Sequence, residues 1–216
     1  MLHMSFGAND IIFMLKGAGV TLAITFWSVA FGTLLGLCFG VVRSEGPWHL
    51  SAPLGFFLDI FRSVPLLIQF VLFNAANSMF ATNLPVFAIA CVVLAIYTAS
   101  YCTEIVRAGI LAVPQTTRRA ARSLGLSYFQ DLTNIVFPIA LKVALPNWIS
   151  LTLGVMKDTS LVLWIGITEL LRASQTIITR TQEPLLVLAI AGAIYFAMSF
   201  PLGRLGMWLE RKWTAQ

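Results

Sequence analysis

The residues best placed to do chemistry form three polar groups in an otherwise apolar chain. The first is Arg118, Arg119, Ala120 and Ala121, followed by Leu124, Gly125 and Leu126. Its chemistry is recognition. Alanines let a partner's groove approach the backbone closely, Leu124 supplies an apolar anchor, and Arg118, Arg119 and Arg122 surround the rest of a short helix. The second group is Tyr97, Ser100, Tyr101 and Glu104, at helical spacing. Such a stripe either lines a path for a polar solute or buries hydroxyls as glue between helices. The third is Lys157, Asp158, Thr159 and Ser160, which forms either an outer gate that receives a solute or a Lys–Asp pair capping a helix end.

Other chemistries find no support. No nucleophile–base or metal constellation stands at membrane depth, so no catalytic residue is assigned and an intramembrane enzyme is disfavoured. His3 and His49 are isolated, and no metal spacing is present. There is no Gly-x-x-x-x-Gly-Lys-Ser/Thr loop to cradle ATP, so any energised cycle requires hydrolysis in a separate subunit. The arginines hug the bilayer without interleaved aromatics, which argues against a nucleic-acid partner.

The elements that position these residues are membrane spans. The chain has 216 residues, of which 58% are hydrophobic and 11% charged; its mean hydropathy is +0.86. A soluble domain of this length cannot hide so much apolar surface. No charge occurs between Gly17 and Val42, or again from Ser63 to Thr103. The second stretch exceeds the roughly 20 residues of one crossing, and Asn74, Asn77, Asn83 and Pro85 break it. The reading is a single all-α integral membrane domain, 1–216, with five spans at about 15–42, 54–75, 84–108, 132–156 and 184–207. Met1–Asp10 lacks the basic start of a cleaved signal. Cys38, Cys91 and Cys102 fall inside spans and read as small packing residues rather than disulfide partners. Asp59 with Arg62, and Glu104 with Arg107, are three apart and neutralise each other locally. Lys142 snorkels to the inner interface.

Basic loops mark the cytoplasm. The loop at 114–131 and the end holding Arg204, Arg211 and Lys212 are basic and share a side, which places the amino terminus outside and the carboxyl end inside. Lys16, on the outer flank of the first span, stands against this assignment. Within the 114–131 loop, Pro114 ends the third span's extension. Thr116 or Thr117 caps a short helix that places Ala120, Ala121 and Leu124 on one face, and Gly125 takes the left-handed turn that ends it. Ser127 caps the fourth span, which Pro138 bends.

The run Ala120-Ala121, Gly125, Ile135, Phe137 and Pro138 resembles the Glu-Ala-Ala…Gly…Ile-x-Leu-Pro loop of ATP-binding cassette importer permeases, where the membrane subunit docks its ATPase. Phe137 stands where Leu is usual, and Arg119 replaces the Glu. On composition alone the arginines serve equally as markers of the inner face; the full spacing favours docking. Four further segments are similar to the polar amino acid uptake branch: Phe61–Gln69, Ala99–Ile110, Lys157–Leu170 and Pro201–Arg211. The resemblance covers roughly residues 15–212. It implies the type I importer permease fold, with a short cytoplasmic coupling helix, in a bacterial inner membrane. It also implies a second permease subunit (the same or different), two ATPase subunits that bind ATP and Mg, and a periplasmic or lipid-anchored solute-binding protein. The cycle it implies is alternating access, carrying a polar amino acid with no cofactor in this chain. The reversed charge at Arg119 requires either an acidic residue on the partner or a heterodimer. Acidic, basic and amide amino acids are all served within that branch, and no mid-membrane charge selects among them. The rivals are a channel or ion-coupled carrier without an ATPase, and a permease for another small solute.

Overall fold

The computed structural model describes residues 6–214, and no strand occurs among them. The helices are α1 (Ala8–Glu45), α2 (Trp48–Ser63), α3 (Leu66–Met79), α4 (Val86–Leu111), α5 (Gln115–Ser123), α6 (Tyr128–Asp131), α7 (Phe137–Asp158), α8 (Leu170–Thr181) and α9 (Pro184–Thr214). A π-helical turn, Leu132–Val136, joins α6 to α7, and a 3-10 segment, Thr159–Ile165, extends α7. Four helical stretches are long and apolar enough to cross a bilayer, and α2 with α3 makes a fifth if the bent pair is one span.

At about 1.5 Å per residue, α1 is about 57 Å long and overshoots a hydrocarbon core of about 30 Å. Its inner face is a row of small residues: Thr21, Thr25, Ser28, Gly32, Gly36 and Gly40 are all buried. A Cβ at Gly32, Gly36 or Gly40 would come within 2.5, 2.5 and 2.6 Å of Thr98, Cys102 and Val106 of α4. In lipid no hydrophobic force draws helices together, so close backbone approach supplies the dispersion contact that does. One bond crosses this seam and a second ties α7 to α1. Ser28 Oγ donates to the Cys91 carbonyl at 3.3 Å, and Trp148 Nε1 of α7 donates to Thr33 Oγ1 at 2.7 Å.

The span expected at 54–75 is built of two helices, α2 and α3, meeting at 102°. Pro65 is the cause, because it has no N–H to give the Phe61 carbonyl. Gln69 repairs the gap: its Nε2 donates to the carbonyls of Phe61 and Val64, both at 2.8 Å. Non-helical backbone at membrane depth persists only where such partners exist. The loop after α3 turns through Ala81 and Asn83, both at positive φ. Asn77 staples it, its Oδ1 accepting from Leu84 N at 3.0 Å and Thr82 Oγ1 at 2.6 Å.

The π turn before α7 has a similar origin. Pro138 would leave the Asn134 carbonyl unpaired and clash with it in a regular α-helix. Widening the turn lets Phe137 N–H reach the Leu132 carbonyl instead. At the other end of the molecule, Glu169 caps α8, its carboxylate accepting from Leu171 N and Arg172 N at 2.7 Å and from Tyr195 OH at 3.1 Å. Asp10 of α1 pairs with Arg180 of α8 at this same end. The three cysteines are free.

Candidate functional site

The short helix α5 begins at Gln115 with Pro114 as its N-cap, not with Thr116 or Thr117, which lie inside the helix. Proline is pre-set for this place, having no donor to leave unpaired at a helix start. The helix ends in a Schellman turn: Gly125 N–H bonds the Arg122 carbonyl at 2.9 Å and Leu126 N–H the Ala121 carbonyl at 3.2 Å. That turn requires Gly125 at φ +87°, as its glycine suggests. Ser127 caps α6 with Gln130 in a reciprocal pair, Ser127 N–H donating to Gln130 Oε1 at 2.9 Å and Gln130 N–H to Ser127 Oγ at 3.3 Å.

Arg118 is not on the outside of this helix. It is 5% exposed and forks onto Glu45 at the end of α1, Nη1 to Oε1 at 2.6 Å and Nη2 to Oε2 at 3.2 Å. Its Nε donates to Asp131 Oδ2 at 3.0 Å, and Asp131 is fully buried. Tyr128 OH donates to Glu45 Oε2 at 2.9 Å. Arg122 reaches Asp131 at 3.6 Å and lies 5.9 Å over the Tyr128 ring. The Glu45 hydrogen bond, then that of Asp131, holds the Arg118 guanidinium protonated even more firmly than usual. Bidentate pairs of this kind fix orientation as well as distance. Here they tie α5 to the end of α1 and to the start of the fourth span.

This bolt sets the rotation of α5. The face expected to gather Ala120, Ala121 and Leu124 is divided: Ala121 turns inward beside Arg118, whereas Arg119, Ala120 and Leu124 face outward. Leu124 is 83% exposed, Gly125 is exposed and Leu126 half-buried. The physical reason is charge. Glu45 and Asp131 offer carboxylates on one side only, and a buried arginine must follow them. The sequence reading missed Glu45, which sits 73 residues from Arg118. Its only signal is an acidic residue at the end of the first span.

In the second group, Tyr97 and Tyr101 share a face of α4, their rings 4.8 Å apart. Glu104 continues that face, held by Arg43 of α1 at 3.2 Å and by Arg107 at 3.3 Å. Ser100 departs from the stripe: it is buried, and its hydroxyl is spent on the Tyr97 carbonyl at 2.7 Å. In the third group, Lys157 is exposed and Asp158 half-buried, and among the described residues they make no salt bridge with each other. The Lys–Asp cap therefore does not form, since α7 runs directly into the 3-10 segment and has no free end there. Thr159 is buried and bonds the Met156 carbonyl at 2.7 Å, and Ser160 is half-buried. Asp59 and Arg62 pair on the outside of α2.

Residues 28–215 match the family described as "Binding-protein-dependent transport system inner membrane component". The octopine transport system permease protein OccM of Rhizobium meliloti is 32% identical over 218 residues, covering 94% of this chain and 89% of that protein. The glutamine transport system permease protein GlnP of Escherichia coli strain K12 is 29% identical over 201 residues, 92% of each. A solved structure described as an amino acid ABC transporter with histidines superposes with a TM-score of 0.86 at 29% identity, covering 97% of this chain and 100% of that one. These matches favour the importer over a self-contained channel or ion-coupled carrier. The chain belongs to the binding-protein-dependent transport system inner membrane component family, as a multi-pass permease subunit of an ATP-binding cassette importer whose ATP is hydrolysed by a separate subunit.

Proposed function

We propose that the cargo is a polar amino acid or a close derivative, and that α5 is the point at which the ATPase grips this subunit. Octopine and glutamine name two relatives, and an amino acid transporter shares the fold. The observation that carries the docking proposal is Leu124, a large apolar side chain 83% exposed at the tip of a helix whose other side is bolted down. Arg119, Ala120, Leu124, Gly125 and Leu126 form the contact, while Arg118 and Ala121 seat it. Closure of two ATPase subunits around ATP moves α5, and the Glu45 and Asp131 contacts pass that movement to α1 and α7. Two such permease subunits rock between outward and inward access, and ATP shifts the balance only as far as it binds one state better. A solute-binding protein delivers the cargo outside, to Lys157, Asp158 and Ser160, and Tyr97 and Tyr101 line the way inward. The amino terminus lies outside and the carboxyl terminus in the cytoplasm.

Leu124→Asp tests the grip. The variant is expected to insert at the parental level, lose the co-purifying ATPase and abolish uptake. Parental retention of the ATPase by this variant would refute the docking role.

A further inference from the structure

We propose that the last turns of α9 hold an anionic phospholipid, its phosphodiester between Arg204 and Arg211 and its acyl chains along Phe196 and Phe200. The start of α9 packs on the first turns of α1, with Val187 and Ala191 clustered against Met14 and Ala18. Its later part runs antiparallel to α7, Gly206 lying against Ile149 and Gly203 against Leu153. The basic end of α9 is therefore at the α5 end of the molecule. Of the long spans α9 is the least covered by its own subunit: 11% of its most apolar stretch is buried, against 56% for α4. Such a face is left open to what surrounds the span in the bilayer.

The face is ordered as a phospholipid is ordered. Phe196, Phe200, Arg204, Trp208 and Arg211 follow one another at helical spacing, so they lie on one stripe. Phe196 and Phe200 are exposed with ring centroids 5.1 Å apart, and Arg204 lies 5.8 Å over the Phe200 ring. Above them Arg204, Leu205, Met207, Trp208 and Arg211 line a cleft of about 440 Å³. Trp208 marks the headgroup level, where its amphipathic ring is favoured, and Lys212 stands 5.0 Å over it. Among the described residues no salt bridge involves Arg204, Arg211 or Lys212. Glu210 lines a different cleft with Asn147 and Ser150 of α7. Three cations above an apolar ladder thus ask for an anion with long apolar tails. A second copy placed with this cleft on a twofold axis would set like charges against each other.

The test is lipid retention by the purified full chain in native mass spectrometry, after equilibration in mixed micelles of phosphatidylglycerol and phosphatidylcholine with matched acyl chains. Phosphatidylglycerol is expected to be retained preferentially. Each near-surface arginine contributes about a fivefold preference, so Arg204→Ala with Arg211→Ala lowers it about 30-fold. Arg204→Gln alone, a milder change to a side chain outside the core, lowers it about fivefold. Lys16→Ala with Arg172→Ala, removing the same charge far from the cleft, leaves it within about twofold. Equal retention of both lipids by the parent overturns the proposal, as does parental retention by the double arginine variant. A change in subunit number in that variant, with lipid retention intact, assigns the face to a contact between copies and also overturns it.

Discussion

Arg118→Ala is the perturbation that tests the seating of α5 most directly. Arg118 is 5% exposed and serves two carboxylates, one of them, Asp131, fully buried. Removing one partner of such a cluster leaves uncompensated buried charge, at a cost of about 3–5 kcal/mol. Arg122, 3.6 Å from Asp131 with its own side chain half-exposed, recovers at most about 1 kcal/mol. The net loss of about 2–4 kcal/mol corresponds to an increase of about 30- to 1000-fold in the detached population of α5. Hydrogen exchange on the full chain reads this directly, because amide protection in α5 should fall by that factor while α4 and α7 keep theirs. Arg118→Lys keeps the charge but loses the fork onto Glu45, and should fall between parent and alanine variant. Arg119→Ala, on the outward side, should leave α5 protection unchanged. Parental protection of α5 in Arg118→Ala would refute the bolt, and with it the proposed route from α5 to α1 and α7.

Two further changes test the packing that supports the site. Gly36→Ala puts a Cβ 2.5 Å from the Cys102 side chain, an overpacking cost of about 1–3 kcal/mol. Gly19→Ala, with nothing within 4 Å, should be neutral or stabilising by up to about 1 kcal/mol; thermal unfolding in detergent checks both, and equal shifts would remove the argument for the α1–α4 seam. Gln69→Leu should destabilise by about 2–4 kcal/mol, since it leaves the Phe61 and Val64 carbonyls unpaired; Gln69→Glu, which cannot donate when ionised, should be no better, and near-parental melting of both would show that the 102° break does not need its repair.

The legible features were those written into neighbouring residues. Asn77, Asn83 and Pro85 announce the turn before α4, Gly125 announces the left-handed end of α5, and Ser127 with Gln130 announces a helix start, because each acts within a few residues. The small-residue face of α1 was equally written in sequence, at Gly32, Gly36 and Gly40, but its meaning depends on which helix lies opposite. The break inside the second span was not legible in hydropathy, which ignores the donor that Pro65 lacks.

From the chain alone came a membrane protein, the loop that turns outward from it and its likeness to importer permeases, since composition, spacing and turn chemistry are local properties. Only the folded molecule decided that Arg118 is a bolt and Leu124 a knob, although both lie on one short helix. A helix carries no preferred rotation of its own. Glu45, brought 73 residues along the chain to face Arg118, supplied the charge that chose one.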